Sequence, residues 1–276
     1  MSQHGASKPK VALIGAGLTG LLAAHGLIKV DGSLDSWKAQ LLTGGRQNGF
    51  DVAVFEREAS LEARRRDWSI LVHWAMPILA KLLPEAVLAD LPKAVCNPHL
   101  NFDAEVESLP VVNGVTGAPL FKSPTPGARR VTRQKLRRLL AETLSVEINW
   151  GKALDGLTVT RDSVELRFQD GETFVADYVL GTDGASSKVR ELLIGTEASA
   201  LALSDVMFAT GIVQYGDAEQ VRTVVEQHPV ALIYMGTSST GAVGGTSALP
   251  PPSAGIPLPL PRTKLTVFSI VMDVGD

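Results

Sequence analysis

The chain has very little cysteine and no pattern of residues that would hold a metal ion. Cys96 is the only cysteine among 276 residues, so no disulfide can form within the chain. No group of cysteines and histidines has the spacing of a zinc site. A reducing compartment, the cytoplasm, is therefore the expected location, and Cys96 is expected to be a buried structural thiol.

Strong net charge is also missing. The formal net charge is −3 and the isoelectric point is near 6.0, so the chain has no general attraction for phosphate backbones or anionic membranes. A basic run surrounds Arg133, but no aromatic residues are interleaved with it. We therefore do not expect nucleic acid as a partner. A charge run is usually a solvated helix face, and this is the alternative to any functional role of Arg133. The run consists of Arg129, Arg130, Lys135, Arg137 and Arg138.

Signatures of two large enzyme classes do not occur. The sequence has neither a G-x-S-x-G nucleophile elbow nor a G-x-x-x-x-G-K-[ST] phosphate loop, which argues against a hydrolase or a nucleotide triphosphatase. His73, His99 and His228 could each act as a general base, but no acid stands at a recognisable spacing from them. These histidines are therefore expected to be structural or at the surface.

A long uncharged run, from Val11 to Ile28, raises the question of a membrane span or a signal peptide. Four glycines interrupt it, and the run divides into a short apolar strand and a helix rich in leucine and alanine. A strand, a turn and a helix explain every one of these glycines. We therefore expect no membrane span.

The segment VALIGAGLTG carries the pattern G-x-G-x-x-G directly after this strand. Gly15 permits the tight turn, Gly17 lets the backbone approach a pyrophosphate, and Gly20 lets the helix pack closely on the strand. The free amides that open the helix, at Leu18 and Thr19, would hold the phosphates together with the helix dipole. The segment predicts a Rossmann dinucleotide-binding unit.

Glu56 closes the strand DVAVFE and is the expected acceptor for two ribose hydroxyls. The alternative is a solvated glutamate in the charged run of Glu56, Arg57 and Glu58. The distance from the glycines exceeds the usual separation of about 20 residues, and residues 30–47 account for the excess. We interpret that stretch as a surface excursion or as a translated non-coding segment.

Later segments also predict secondary structure. Thr132 is expected to cap a helix, and the pair Asp170–Gly171 predicts a hairpin. Residues 241–261, dense in glycine, serine and proline, are expected to be flexible. The expected helix carries Leu136, Leu139, Leu140 and Leu144 on one face, and the expected strands include Leu109–Val112, Val164–Phe168, Thr173–Val175, a buried Tyr178–Leu180, Val206–Val213, Val230–Met235 and Lys264–Met272.

Four segments together resemble the FAD-dependent aromatic-ring hydroxylases, also called class A flavoprotein monooxygenases. They are GAGLTG, FERE, RVTRQKLRRLL and YVLGTDGASSKVR, and the resemblance runs through most of the first 195 residues. It implies an α/β fold in which a Rossmann-like FAD-binding domain is interleaved with an incomplete β-sheet substrate domain. The expected FAD-binding parts are 9–83, with an insertion at about 30–47, and 129–195; the expected substrate-side parts are 84–128 and 196–276.

The resemblance also implies site residues. Asp183, Gly184 and Arg190 match a motif that contacts the flavin nucleotide, and Arg133 matches an arginine that reaches FAD. Arg66, or its neighbour Arg65, matches an arginine near the flavin. The alternative for Asp183 is an ordinary turn at a strand end. The expected cofactor site consists of Gly15, Gly17, Leu18, Thr19, Gly20, Glu56, Arg57, Arg66, Arg133, Asp183, Gly184 and Arg190.

The implied activity is that of a monooxygenase. NADH or NADPH would reduce FAD transiently, and one oxygen atom of O2 would enter a small aromatic or polyketide-like substrate. The sequence identifies no catalytic residue and no oligomeric state. It lacks the family's later Arg…Gly-Asp-Ala-Ala-His-like segment, so we expect a truncated form that binds FAD weakly or needs a partner for its missing face. A non-catalytic dinucleotide-binding protein and another FAD-dependent oxidoreductase remain alternatives.

Overall fold

The computed structural model describes two compact units that alternate along the chain. The described residues are 8–29, 49–64, 68–96, 107–202, 206–215, 231–235, 241–246 and 263–273, with positions 219, 226 and 228. Unit 1 comprises Met1–Asp67, Pro77–Leu91 and Gln134–Ala202, and unit 2 comprises Trp68–Met76, Pro92–Arg133 and Leu203–Asp276. The expected α/β fold, in which a Rossmann-like domain is interleaved with a β-sheet domain, is confirmed. The proposed insertion at 30–47 lies outside the described residues.

Strands and short helices alternate through the described residues. The strands are β1 (Lys10–Ile14), β2 (Asp51–Glu56), β3 (Ser69–Val72), β4 (Ser108–Asn113), β5 (Pro119–Pro124), β6 (Arg129–Thr132), β7 (Ile148–Trp150), β8 (Leu154–Val159), β9 (Val164–Phe168), β10 (Thr173–Ala176), β11 (Tyr178–Gly181), β12 (Val206–Tyr215), β13 (Ala231–Met235), β14 (Gly241–Thr246) and β15 (Thr263–Asp273). The α-helices are α1 (Leu18–Lys29), α2 (Met76–Leu82), α3 (Glu85–Asp90), α4 (Arg133–Glu142), α5 (Lys188–Ile194) and α6 (Thr196–Ser199), and Leu61–Ala63 and Leu91–Ala94 form 3-10 helices.

A parallel sheet in the order β11-β1-β2-β7 forms the centre of unit 1. β1 has a parallel neighbour on each side, and its residues Val11–Ile14 are at most 4% exposed. A strand buried on both faces needs a continuous apolar sequence, so the reading of β1 is confirmed. The prediction that β11 is buried is wrong, because β11 lies at the sheet edge, where Tyr178 is 54% exposed.

An antiparallel meander, β8-β9-β10, packs on this sheet. The predicted hairpin joins β9 to β10, and Gly171 takes the φ of +88° that its turn requires. The ring of Phe55 lies 4.7 Å from that of Phe168 and 4.9 Å from that of Phe174. Aromatic contacts of this kind stabilise a core by about 1 kcal/mol each beyond their burial. Phe55 therefore anchors the end of β2, directly before Glu56.

Helices α1 and α4 meet within unit 1 through a buried histidine. His25 is 4% exposed, and its Nε2 donates to the carbonyl oxygen of Leu140 at 2.9 Å. Burial lowers the pKa of His25, so the ring is neutral near pH 7.

The helix predicted after Thr132 is confirmed. Its predicted cap is wrong, because Thr132 ends β6 and its Oγ1 makes no hydrogen bond within the described part of the chain.

Unit 2 is built on a six-stranded sheet in the order β12-β15-β14-β13-β4-β5, with a separate pair β3-β6. The strands predicted within 206–235 and 264–272 are confirmed. The flexible segment expected from residue 241 is wrong over Gly241–Thr246, which pairs with β13 on one side and β15 on the other. The two flanking strands provide hydrogen-bond partners for the backbone of β14, so the strand forms although it is rich in glycine. Residues 247–261 lie outside the described residues.

The described residues show neither a membrane-spanning helix nor a cluster of metal ligands. None of their helices combines the length and the apolar character that crossing a bilayer demands. Nor do these residues bring together three or more histidine, cysteine, aspartate or glutamate side chains in a way that could hold a metal ion.

Candidate functional site

Gly15 begins the turn between β1 and α1. Its φ is +109°, its N–H donates to the carbonyl oxygen of Phe55 at 2.7 Å, and a Cβ at this position would lie 2.7 Å from the carbonyl oxygen of Thr182. Both the backbone angle and the space exclude every residue except glycine. The tight turn predicted at Gly15 is therefore present at the carboxyl end of β1.

Gly20 and Gly17 differ in what surrounds them. A Cβ on Gly20 would lie 2.0 Å from the carbonyl oxygen of Gly15, so the helix is packed against the turn. A Cβ on Gly17 would meet no heavy atom within 4 Å. The loop is therefore closed behind Gly20 and open in front of Gly17, and the open side is where the backbone can approach a ligand.

The amino terminus of α1 faces this loop with amides that no bond within the helix uses. The first amide that bonds back along the chain is that of Leu21, which donates to Gly17 at 3.0 Å, so the amides of Leu18, Thr19 and Gly20 have no partner within the helix. The first turn contains no acidic side chain. The positive end of the helix dipole is therefore available to an anion.

Glu56 lies beside the loop, at the carboxyl end of β2. Its side chain is buried, with Oε2 accepting from the amide of Ala16 at 2.7 Å and Oε1 accepting from the amide of Glu58 at 3.1 Å. The alternative of a solvated glutamate is wrong, because the residue is 4% exposed. Its role in binding a ribose stays a prediction, which the position next to the glycine loop favours.

Arg137 was not among the predicted site residues, and the reading of its side chain as solvated is wrong. The residue is 5% exposed, its Nε donates to the carbonyl oxygen of Ala16 at 2.8 Å, and its Nη1 donates to Glu58 at 2.8 Å. Nη2 lies 3.5 Å from Oε2 of Glu56. A signal was available, because Arg137 precedes Leu140 by three positions and so borders the apolar face of α4.

The rest of the basic run is divided between surface and interior. The side chains of Arg133, Lys135 and Arg138 are exposed, as predicted for a solvated face. Arg130 is 8% exposed, and its Nε donates to Oγ of Ser69 at 2.8 Å within unit 2. Burial lowers the pKa of Arg130, although a guanidinium remains charged at neutral pH.

Glu58 completes the charged group around Arg137. Burial alone would raise the pKa of Glu58, but hydrogen bonds from Arg64 and Arg137 outweigh that effect, and the pKa is lowered. Glu58 therefore stabilises the fold as a carboxylate. This contribution is complete above the pKa that the residue has in the unfolded chain, and it is lost as the pH falls through the folded pKa.

Replacing Glu58 by glutamine is expected to reduce the acid sensitivity of the fold. Between about pH 5 and pH 3 the free energy of unfolding should fall less in Glu58→Gln than in the unsubstituted protein. At pH 7 the variant should be less stable by about 1–2 kcal/mol, because a charged hydrogen bond is lost. Urea unfolding at several pH values measures both effects.

Glu142→Gln is the matched control, because Glu142 pairs with Arg138 on the exposed side of α4. Exposed pairs contribute little, so its stability should change by less than about 0.5 kcal/mol at pH 7. Equal acid sensitivity in Glu58→Gln and the unsubstituted protein would contradict the conclusion that Glu58 stabilises the fold as a carboxylate.

The second predicted motif packs against the first. The amide of Thr182 donates to Ile14 at 2.9 Å, and its Oγ1 lies within hydrogen-bond distance of the carbonyl oxygens of Ile14 and Gly15. Asp183 accepts from Oγ of Ser187 and from the amides that open α5. Asp183 thus holds the start of a helix, and Thr182, which the sequence did not single out, joins the two motifs.

The remaining predicted residues have other surroundings. Gly184 takes a φ of +88°, and Arg190 donates to carbonyl oxygens of Ala185 and Ser199. Arg57 is exposed. The amide of Arg133 donates to the carbonyl oxygen of Trp68 at 2.8 Å. Flavin contacts of these residues stay predictions, and Arg65, Arg66 and His99 lie outside the described residues.

His228 belongs to unit 2, and a separate cavity opens in unit 1. Nδ1 of His228 accepts from the amide of Ala231 at 3.0 Å, in agreement with a structural histidine. A cavity of about 830 Å³ opens beside Lys10, Asp51 and Asp177, at the amino ends of β1 and β2. The cofactor site predicted from the glycines lies at the carboxyl ends, where ligands bind in open α/β sheets.

Comparison with known proteins gives relatives that are named FAD-dependent monooxygenases. The chain is 32% identical over 243 residues to the protein named FAD-dependent monooxygenase phnB of Penicillium herquei, covering 87% of this chain and 54% of the relative. It is 29% identical over 227 residues to the FAD-dependent monooxygenase cctM of Talaromyces islandicus, covering 82% of this chain and 52% of the relative. The chain thus spans about half the length of the curated relatives it matches.

The fold is also found among solved structures. The 2,6-dihydroxypyridine-3-hydroxylase of Arthrobacter nicotinovorans superposes with a TM-score of 0.63 at 19% identity, covering 98% of this chain and 57% of that one. No protein-family model matches the chain. At this identity the likeness establishes the fold alone, and it agrees with the α/β architecture expected from the sequence.

Proposed function

We propose that this chain, which is similar to FAD-dependent monooxygenases over most of its length, binds FAD in unit 1 and contributes to oxygen insertion into a small organic substrate. One observation carries this proposal: the open side of the glycine loop, the free amides of α1 and the buried carboxylate of Glu56 all lie at the carboxyl edge of one parallel sheet. This is the edge at which doubly wound sheets bind nucleotides.

The residues present fit the adenosine diphosphate half of FAD. The space in front of Gly17 leaves room for a diphosphate beside the backbone, where a side chain would otherwise project. The amides of Leu18 and Thr19 would donate to phosphate oxygens. Glu56 would accept from ribose hydroxyls, since a carboxylate is an acceptor only. A diphosphate joined to a ribose therefore matches the order of groups along the sheet edge.

The isoalloxazine ring supplies the chemistry with dioxygen when FAD is bound, because no protein side chain transfers electrons to O2 in this way. The protein's residues bind and orient the cofactor. We propose NADH or NADPH as the transient reductant and an aromatic or polyketide-like molecule as the substrate. Both proposals extend the family relationship and the resemblance in the sequence.

Flavin binding and oxygen uptake test the proposed function. The purified chain is expected to quench the fluorescence of added FAD and to shift its visible absorption bands. With NADPH or NADH present, oxygen uptake should rise when a substrate of the right class is added, and the product should carry one additional oxygen atom. The measurements are fluorescence titration, an oxygen electrode and mass spectrometry of the product.

The outcomes separate the alternatives. Binding of FAD without substrate-dependent oxygen uptake would indicate a non-catalytic dinucleotide-binding protein. Consumption of NADPH or NADH without an oxygenated product would indicate another FAD-dependent oxidoreductase. A folded chain that does not bind FAD at all would overturn the proposal.

A further inference from the structure

One nitrogen of the buried guanidinium of Arg137 makes no hydrogen bond to any residue that the structure describes. Nε and Nη1 are both used, by Ala16 and Glu58 respectively. Nη2 is buried and makes no hydrogen bond within the part of the chain that the structure describes. Buried donors of this kind nearly always have a partner, since leaving one unsatisfied is unfavourable. Nη2 is therefore a donor that the acceptor of a ligand can use.

The carboxylate of Glu56 lies beside Nη2. Oε2 of Glu56 lies 3.5 Å from Nη2, close enough for an ionic attraction but without a hydrogen bond. Nη2 is thus a donor beside a carboxylate whose oxygens each accept one amide and have the lone pairs to accept a further hydrogen bond. Among common ligand groups, a hydroxyl can donate to the carboxylate and accept from the guanidinium at the same time.

Arg137 is held so that it cannot turn away from this position. Its guanidinium carbon lies 5.5 Å from the ring centroid of Trp150, which ends β7 at the same sheet edge. The bond from Nε to the carbonyl oxygen of Ala16 ties it to the glycine loop. Glu58 balances its charge. Because these contacts already fix the guanidinium, little conformational entropy is lost when it binds a ligand.

We propose that Arg137 is a positioning and selectivity residue of the dinucleotide site, which orients Glu56 and, with it, recognises a ribose hydroxyl as both donor and acceptor. This inference rests on the proposed function, in which unit 1 binds the adenosine diphosphate part of FAD. It adds a residue and a chemical criterion to that function. A ligand that lacks the ribose hydroxyls should bind poorly because of Arg137.

The test compares two ligands that differ only in the ribose. ADP and 2′,3′-dideoxy-ADP compete with FAD for the full chain, and the displaced FAD is followed by its fluorescence. The unsubstituted protein is expected to favour ADP by about 10-fold to 100-fold, the ratio that one or two charged hydrogen bonds produce. In Arg137→Met this ratio should fall by about 10-fold.

Arg137→Lys guards against loss of the fold, because it keeps a positive charge beside the two carboxylates but lacks the planar fork. Its ratio of the two affinities should fall as well. Arg138→Met is the matched control, since Arg138 is the next residue on α4 and its side chain is 45% exposed. That control should retain the ratio of the unsubstituted protein within about 2-fold.

The outcomes distinguish this inference from the proposed function. A purely structural role for Arg137 would weaken ADP and 2′,3′-dideoxy-ADP equally, and an unchanged ratio in Arg137→Lys would overturn the inference. Failure of the unsubstituted, folded chain to bind both FAD and ADP would overturn the proposed function together with it. A reduced ratio in both Arg137 variants, with normal behaviour in Arg138→Met, supports the inference.

Discussion

Gly17→Glu is expected to fold like the unsubstituted protein and to lose affinity for FAD by at least about 100-fold. The fold should tolerate the side chain, because a Cβ at this position meets no heavy atom within 4 Å. The affinity should fall because the new carboxylate projects into the space proposed for the diphosphate, where like charges repel. Fluorescence titration with FAD and a thermal melt measure the two properties on the same sample.

Gly17→Gln separates volume from charge. It has nearly the volume of glutamate without the negative charge, so the difference between the two variants reports the repulsion alone. We expect Gly17→Gln to weaken FAD binding less than Gly17→Glu does. The difference in affinity between the two variants should be larger at low salt, where charges are screened less. Unchanged FAD affinity in a folded Gly17→Glu protein would contradict the location of the diphosphate.

Gly20→Ala is expected to destabilise the fold strongly, by about 3 kcal/mol or more. The added Cβ would lie 2.0 Å from the carbonyl oxygen of Gly15, which is backbone and cannot rotate away, and 2.7 Å from Oγ1 of Thr182. Relief of this contact requires α1 to move off the turn after β1. Since domains are stable by about 5–15 kcal/mol, such a loss is a large fraction of the total. Urea unfolding of the full chain measures it.

Gly26→Ala is the matched control in the same helix. Its Cβ would lie 2.8 Å from Cδ2 of Leu82, the end of a side chain that can change its rotamer. Alanine also favours the helix over glycine by up to about 1 kcal/mol, which offsets the crowding. The free energies of unfolding of the two variants are therefore expected to differ by several kcal/mol, although both substitutions add one methyl group to α1. Similar free energies of unfolding in Gly20→Ala and Gly26→Ala would show that the turn after β1 can move to make room for a methyl group.

Local patterns in the sequence were sufficient for the elements whose signals lie within a few residues. The apolar run of β1, the glycines after it and the alternation in β2 each predicted the structure that forms. The hairpin at Asp170–Gly171 was also predicted, because its turn residues and both strands are adjacent in sequence. These elements follow from backbone propensity and short-range periodicity.

Elements that depend on distant partners were missed or misread. β3 pairs with β6, so Ser69 faces Thr132, and neither strand carries a long pattern of its own. β14 is rich in glycine and forms because β13 and β15 lie on either side of it. β11 has an apolar sequence but lies at an edge. Which neighbour a strand receives is decided by the whole fold and not by the strand's own residues.

The same division holds for the candidate site. The motif predicted four site residues, because the turn needs glycines and the end of the second strand needs an acid. They are Gly15, Gly17, Gly20 and Glu56. Arg137 was missed, since a cation among other cations is usually solvated, and only the packing of α4 shows that this one is buried against two carboxylates. Thr132 was read as a cap, whereas its place at the end of β6 gives it no such bond.

By itself, the amino-acid sequence determined the class of fold, the turn that can approach a diphosphate and the acid that closes the second strand. The tertiary structure alone decided that Arg137 lies beside Glu56 with one nitrogen unsatisfied, and that Thr182 joins the two motifs. The reason is physical. Backbone geometry is set by neighbouring residues, whereas burial and electrostatic pairing depend on groups that are far apart in the chain and meet only when it folds.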